Sequence, residues 1–226
     1  MMDITALFKI SYGLYIIGAK DGAKNAGCVV NTVAQSTANP VTLTVCINKD
    51  NHTNAVIKAT KSFSVSILSE HVNAEIIRLF GFTSSKDTDK FAQAPYSLTP
   101  SGLPYINNGV TGYLQCKVID FIDNYTHTIF IAEVEEAENL TKEPPMTYAY
   151  YHSVVKGKTA KNAPTYVADE VASANADEAE PSPGAKVYKC AICGFEYSGG
   201  DVGFEQLPDD YLCPICRAAK EKFTKA

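Results

Sequence analysis

Residues 11–37 read SYGLYIIGAKDGAKNAGCVVNTVAQST, and this stretch decides the fold. Two apolar runs, 11–20 and 25–37, flank Lys20-Asp21-Gly22, which is the signature of a β-hairpin. Working outward, VTLTVCIN (41–48) follows a turn at Asn39-Pro40. SFSVSIL (62–68) alternates polar and apolar residues with period two. GYLQCKVIDFID (112–123) and HTIFIAEVEEAE (127–138) alternate likewise around a turn at Asn124-Tyr125. Helices are fewer: one is expected over 51–60, with Asn51 as its cap, and one over 72–80. Six strands joined by short turns, with few helices, predict a mainly β fold that closes into a barrel.

Two segments inside this framework are unusually polar. Asn31-Thr32-Val33-Ala34-Gln35-Ser36-Thr37 ends an apolar strand in small polar side chains, and Asn48 to Asn54 joins a strand to a helix. A helix start gathers unpaired N–H groups and positive partial charge, which suits an anion such as phosphate. Lys49, Asn51, His52 and Thr53 add donors there. An ordinary helix cap with solvated neighbours explains the same residues. His127 opens a strand, as a hydrogen-bonded strand-end histidine or as part of a site. His152 lies among Tyr148, Tyr150 and Tyr151 and reads as surface or packing, and His71 belongs to a helix start. Glu135, Glu136 and Glu138 read as a solvated strand edge. No Ser-His-Asp pattern, P-loop or G-x-G-x-x-G is present, so any nicotinamide binds without a Rossmann fold.

In order, K-D-G-A-K-N-A-G-C-V-V-N-T-V-A-Q-S-T-x-N-P, N-K-D-N-H-T, S-F-S-V-S-I-L, T-H-T-I-F-I-A-E-V and P-M-T-Y-A-Y-Y-H resemble the flavin-reductase-like family over most of residues 5–166. The resemblance implies an FMN-binding split β-barrel, commonly a homodimer. It implies that Asn31, Thr32, Ala34, Gln35 and Ser36 contact the flavin ring and ribityl chain. Lys49, Asn51, His52 and Thr53 would contact the phosphate, with Asn51-x-Thr53 standing in for the family's Ser-x-Thr. His127 matches a histidine that lies near the flavin pocket in that family, and so is the candidate catalytic residue.

The C-terminal segment VYKCAICGFEYSGGDVGFEQLPDDYLCPICRAAKEKF (187–223) carries Cys190-x-x-Cys193 and Cys213-x-x-Cys216. Four thiolates in two such hairpins make a tetrahedral site for zinc or iron. The 19 residues between the pairs fall in the range read as zinc. Six interleaved aromatic residues, Tyr188, Phe195, Tyr197, Phe204, Tyr211 and Phe223, point instead to the apolar shell of a redox centre. V-Y-K-C-A-I-C-G-F-E-Y followed by L-P-D-D-Y-L-C-P-I-C resembles rubredoxin, which implies a small one-iron domain with those four cysteines as ligands. It departs from the family in a shorter loop between the hairpins, in Arg217 where Gly is usual, and in Tyr211 where Trp is usual.

Composition bounds the rest. The 226 residues are 46% hydrophobic, enough for one medium and one small core. The net charge of −5 is carried by an acidic, Ala- and Pro-rich tract at 167–184 that lacks aromatic residues. Such a tract cannot fold alone and reads as a flexible linker, with a root-mean-square span of roughly 20–25 Å. The expected domains are 1–166, a linker 167–184, and 185–226. The folded parts are near neutral, which argues against nucleic acid. No apolar run reaches membrane-spanning length, and no signal peptide is evident, so no membrane partner is expected. Cys28, Cys46 and Cys116 read as buried reduced thiols in a cytoplasmic protein. Together the two modules resemble the high-molecular-weight rubredoxins. That implies electron flow from a reduced nicotinamide, NADH for preference, through FMN to one iron (Fe3+/Fe2+), and on to a flavodiiron protein that reduces nitric oxide or dioxygen. The alternative is a flavin reductase that supplies reduced flavin to a monooxygenase and carries a structural zinc-ribbon tail.

Overall fold

The computed structural model describes residues 3–155, 157, 159–160, 162–166, 188–191, 195–197, 203–213 and 218–225. The expected linker, Cys193, Cys216 and Arg217 lie outside the described residues. Two compact units are present, one within Phe8–Tyr166 and one that includes residues 188–225.

The larger unit is a seven-stranded antiparallel sheet. Its strands are β1 (Tyr15–Asp21), β2 (Lys24–Val30), β3 (Val33–Ala38), β4 (Val41–Asn48), β5 (Ser62–Leu68), β8 (Val110–Asn124) and β9 (His127–Asn139). A short hairpin of β6 (Tyr96–Leu98) and β7 (Pro104–Ile106) stands apart. Three helices complete the unit: α1 (His52–Thr60), α2 (Ala74–Phe82) and α3 (Tyr148–Ser153).

The sheet order is β2-β1-β5-β8-β9-β4-β3. It therefore begins and ends with two strands that are consecutive in the chain. The apolar run at 25–37 is not one strand but two, broken at Asn31-Thr32, and β2 pairs with β1 while β3 pairs with β4. The sheet rolls up but the ladder is not continuous around it, so the expected closed barrel is a split one. At the first hairpin Asp21 pairs with Lys24, and Gly22 takes the left-handed conformation (φ +57°) that a two-residue turn demands.

Alternation along β1 supplies two cores. Ile17 and Ala19 face a cluster inside the roll with Val45, Ile47, Ile57, Phe63, Val65, Cys116 and Phe130. Leu14 and Ile16 face a second cluster with Leu68, Ile77, Phe80, Phe91, Ile106 and Met146. The serines of SFSVSIL obey period two, yet Ser64 and Ser66 are buried rather than solvated, and Ser62 is half-buried. Ser64 Oγ donates to Pro104 O (2.5 Å), and Ser66 Oγ accepts from Ile106 N (3.0 Å), so β7 covers this face. α1 starts where expected. Asn51 Oδ1 accepts from Thr53 N (3.1 Å), and the helix ends at Lys61 in the left-handed region, whose N–H reaches Ile57 O (2.8 Å). α2 starts two residues later than the sequence pattern predicts, because Asn73, not a residue before Val72, caps it through Glu75 N (2.9 Å). His71 precedes that cap.

β2 is an edge strand, and edges need cover. Ser85 Oγ meets both Gly27 N and Gly27 O (3.0 Å each), and Lys90 Nζ donates to Gly27 O (2.9 Å) and Phe80 O (3.1 Å). A Cβ at Gly27 would strike the rings of Phe80 and Phe91. Lys90 is only 2% exposed, and burial draws its pKa down to about 8, against a smaller upward pull from Cys28.

In the small unit, β10 (Tyr188–Cys190) lies between β11 (Glu196–Tyr197) and β12 (Phe223–Lys225). Its core is aromatic: Phe204 stacks on Tyr188 (centroids 4.2 Å) and packs against Phe223 (5.0 Å).

The Lys90 ammonium gives a pH prediction. Below about pH 8 the side chain is charged in both folded and unfolded chains, and the burial penalty is present in full. Between about 8 and the unfolded value near 10.5 only the folded form has lost its proton, and the penalty fades. Lys90→Met has no such group, so unfolding free energies measured by urea titration should move in favour of the wild type over that range. A constant difference from pH 7 to 10 would contradict it.

Candidate functional site

Strand register gathers the polar residues at one end of the rolled sheet. Asn48, the last residue of β4, pairs with His127, the first of β9. Lys49 N donates to Thr126 O (2.9 Å), which ties the β4–α1 turn to the β8–β9 turn. Asn48 Oδ1 accepts from Asp50 N (2.9 Å), and Asn54 Nδ2 donates to Ile47 O (2.9 Å), so the turn is held from both sides. On the other side of the seam, Thr32 Oγ1 donates to Cys46 O (3.2 Å), which brings the β2–β3 junction onto the same end of β4.

Asn31, Thr32, Lys49, Asn51, Thr53 and His127 are thus brought to one end by pairing and by the turn, and His52 opens α1 beside them. Ala34, Gln35 and Ser36 are different. They run outward along the exposed edge strand β3, where Gln35 Nε2 donates to Thr37 O (3.2 Å) next to a register shift.

Burial singles out a few of these polar atoms. Asn31 is 4% exposed and Thr53 is fully buried. Asn31 Oδ1 and Thr53 Oγ1 are buried without a hydrogen-bond partner, as is Asn25 Oδ1 further back along β2. Such atoms normally find partners, and leaving one unpaired costs about 1–3 kcal/mol. Cys28 packs near Thr53. Burial drives its thiol pKa up to about 11, and Lys90, Thr53 and Asn51 pull it down by less. The proximity of Thr53 to that sulfur falls short of a hydrogen bond. Cys28 and Cys116 are buried free thiols, while Cys46 is half-buried.

Both ring nitrogens of His127 are engaged, Nδ1 with Thr126 Oγ1 (2.9 Å) and Nε2 with Asn162 O (3.2 Å). Thr165 also reaches the site at Asn31, whose Nδ2 donates to Thr165 Oγ1 (2.9 Å). Sequence reasoning missed Asn162 and Thr165, since a carbonyl and a lone hydroxyl in an irregular segment leave no pattern. The acidic run is the strand edge expected of it. β4 covers β9 only as far as Glu133, and beyond it Glu136 accepts from Tyr113 OH (2.6 Å) and Glu135 from Gln115 Nε2 (3.1 Å).

In the small unit Cys190 and Cys213 are 1% and 0% exposed. Each makes the same bond to the residue five positions on: Cys190 N donates to Phe195 O (2.8 Å), and Cys213 N donates to Ala218 O (2.7 Å). Two cysteines with matching backbone bonds, each buried against an aromatic core, fit a soft metal bound by thiolates. Among the described residues no fuller cluster of metal-ligating side chains occurs.

Residues 7–158 match the flavin reductase like domain, and residues 187–223 match rubredoxin. The chain is 40% identical to the high molecular weight rubredoxin of Moorella thermoacetica, over 98% of this chain and 99% of that protein. It is 38% identical to a ferric-chelate reductase (NAD(P)H) of Archaeoglobus fulgidus, over 73% of this chain and 98% of that one. Among solved structures, the NADH:FAD oxidoreductase of Streptomyces globisporus superposes with a TM-score of 0.56 at 23% identity, covering 63% of this chain and 84% of that chain, which is a likeness of fold.

The Asn51 cap supports the whole turn. Asn51→Ala should lower stability by about 1 kcal/mol, read as an earlier midpoint in urea with an unchanged slope. An unchanged midpoint would show that the cap bond contributes nothing.

Proposed function

This chain belongs to the flavin reductase like family and carries a rubredoxin domain C-terminal to its barrel in sequence, and we propose that it splits the electron pair of a hydride into single electrons for a flavodiiron-type acceptor. It is an NAD(P)H-dependent flavin oxidoreductase. The barrel domain binds flavin, and the rubredoxin domain binds one iron through cysteines. That iron match sets aside the zinc-ribbon alternative left open by the cysteine spacing. The observation that carries the proposal is the presence of both modules in one chain. Bound flavin supplies exchange of two electrons as hydride or one at a time, and iron supplies exchange of one.

The donor set at the seam fits FMN. The positive end of α1, with Thr53 Oγ1, would hold the phosphate, and Lys49 and His52 would add donors beside it. Asn51 fixes the turn through its Oδ1, and its Nδ2 would remain to donate to the phosphate. Asn31 and Thr32 would meet the ring and ribityl chain at the seam, with Ala34, Gln35 and Ser36 along the edge strand. His127, held by Thr126 and Asn162, would stand at the reacting end. The apolar shell around Cys190 and Cys213 keeps water from the sulfurs and so tunes the potential. Domains at 1–166 and 185–226 joined by the acidic linker, a homodimer, NADH as donor, a cytoplasmic setting and a flavodiiron protein that reduces nitric oxide or dioxygen complete the proposal. No helix among the described residues is long and apolar enough to cross a membrane.

The test is anaerobic. NADH added to the full chain should bleach the visible ferric–thiolate absorption as well as the flavin band. Cys213→Ser should lose the iron, keep the flavin, and leave NADH reduction of the flavin intact. If that single change removes both cofactors, or if the intact iron never bleaches, the proposal fails.

A further inference from the structure

A run of hydrogen bonds leads from the seam to a histidine that the site itself does not use. Asn31 Nδ2 meets Thr165 Oγ1 (2.9 Å), Thr165 Oγ1 meets Tyr148 OH (3.1 Å), and Tyr148 OH meets Thr159 Oγ1 (2.7 Å). Thr159 Oγ1 meets His152 Nε2 (3.4 Å), and His152 Nδ1 meets Gly157 O (2.9 Å). The His152 ring stands edge-on to Tyr148, with centroids 4.3 Å apart.

The far end of this run fixes the direction of every bond in it. A backbone carbonyl only accepts, so His152 Nδ1 must carry a hydrogen. Burial holds the His152 pKa below its ordinary value, so at neutral pH the ring is uncharged and Nε2 is an acceptor. Thr159 then donates to His152, Tyr148 donates to Thr159, and Thr165 donates to Tyr148. A hydroxyl has one hydrogen, and that of Thr165 is now spent. Its remaining bond to Asn31 must be accepted, which requires the NH2 group of Asn31 on that side. The opposite atom, Asn31 Oδ1, is the buried acceptor without a partner.

We propose that His152 is a positioning residue for the cofactor site, acting through Thr159, Tyr148 and Thr165 to hold the Asn31 amide with its oxygen toward the ligand. The inference rests on the seam being the flavin site. Its consequence is a defined polarity: at Asn31 the site takes a ligand group that donates, a ring N–H or a ribityl hydroxyl, and disfavours one that only accepts. Breaking the run anywhere frees the amide to turn over and present its NH2 group instead.

The test uses the full chain with FMN as the probe. Dissociation constants come from flavin fluorescence, and the visible circular dichroism of the bound flavin reports its surroundings. Tyr148→Phe and Thr165→Val each cut the run without touching Asn31 and should weaken FMN binding about tenfold and alter the dichroism. Thr165→Ser keeps the hydroxyl and should restore both. Wild-type affinity and an unchanged spectrum in both cut variants would overturn the positioning role while leaving the flavin site in place. Failure of the wild type to bind FMN would instead overturn the site, and this inference with it. Independently of any variant's folding, 15N spectra assigned with His152→Gln should show the neutral Nδ1–H form of His152. The Nε2–H form would overturn the proposed polarity.

Discussion

A buried polar atom without a partner is expensive, and in the barrel unit Asn31 Oδ1 and Thr53 Oγ1 stand at the same end of one rolled sheet. The rest of the architecture explains how they come to be there. β2 must leave its ladder at Val30 so that β3 can start a new one on β4, and Asn31 sits at that break. β4 must end at Asn48 so that α1 can start, and Thr53 lies in the first turn of that helix. An antiparallel register between β4 and β9 then delivers His127 to the same end. The polar end of the barrel is therefore a product of strand ends rather than of any one motif.

The two modules solve different physical problems. The barrel has a large aliphatic core and can spare a polar seam. The small unit has few residues, so its core is built from stacked rings around buried cysteine sulfur. Bound through its cysteine thiolates, a metal would supply stability that so small a core lacks. The same rings exclude water from the sulfurs, so one arrangement serves both folding and redox tuning.

Much of this was legible in the sequence. Period-two alternation marked the long strands, and Asn51 announced the start of α1. The break at Asn31-Thr32 was hidden, because apolar alternation runs straight through it while the pairing partner changes. The β6–β7 hairpin was hidden too, since three-residue strands beside prolines carry no periodicity. Its presence is why Ser64 and Ser66, polar by pattern, are buried. The candidate ligands were placed by family resemblance, and register explains why all but Ala34, Gln35 and Ser36 meet at one end. Thr159, Asn162 and Thr165 were beyond sequence reasoning, because hydroxyls and a carbonyl gain meaning only from what they touch.

The most direct measurement is a crystal structure of the chain loaded with FMN. The account predicts the phosphate at the start of α1, bonded to Thr53 Oγ1, and a donor group of the flavin on Asn31 Oδ1. A flavin bound elsewhere, with both atoms still lacking partners, would contradict it.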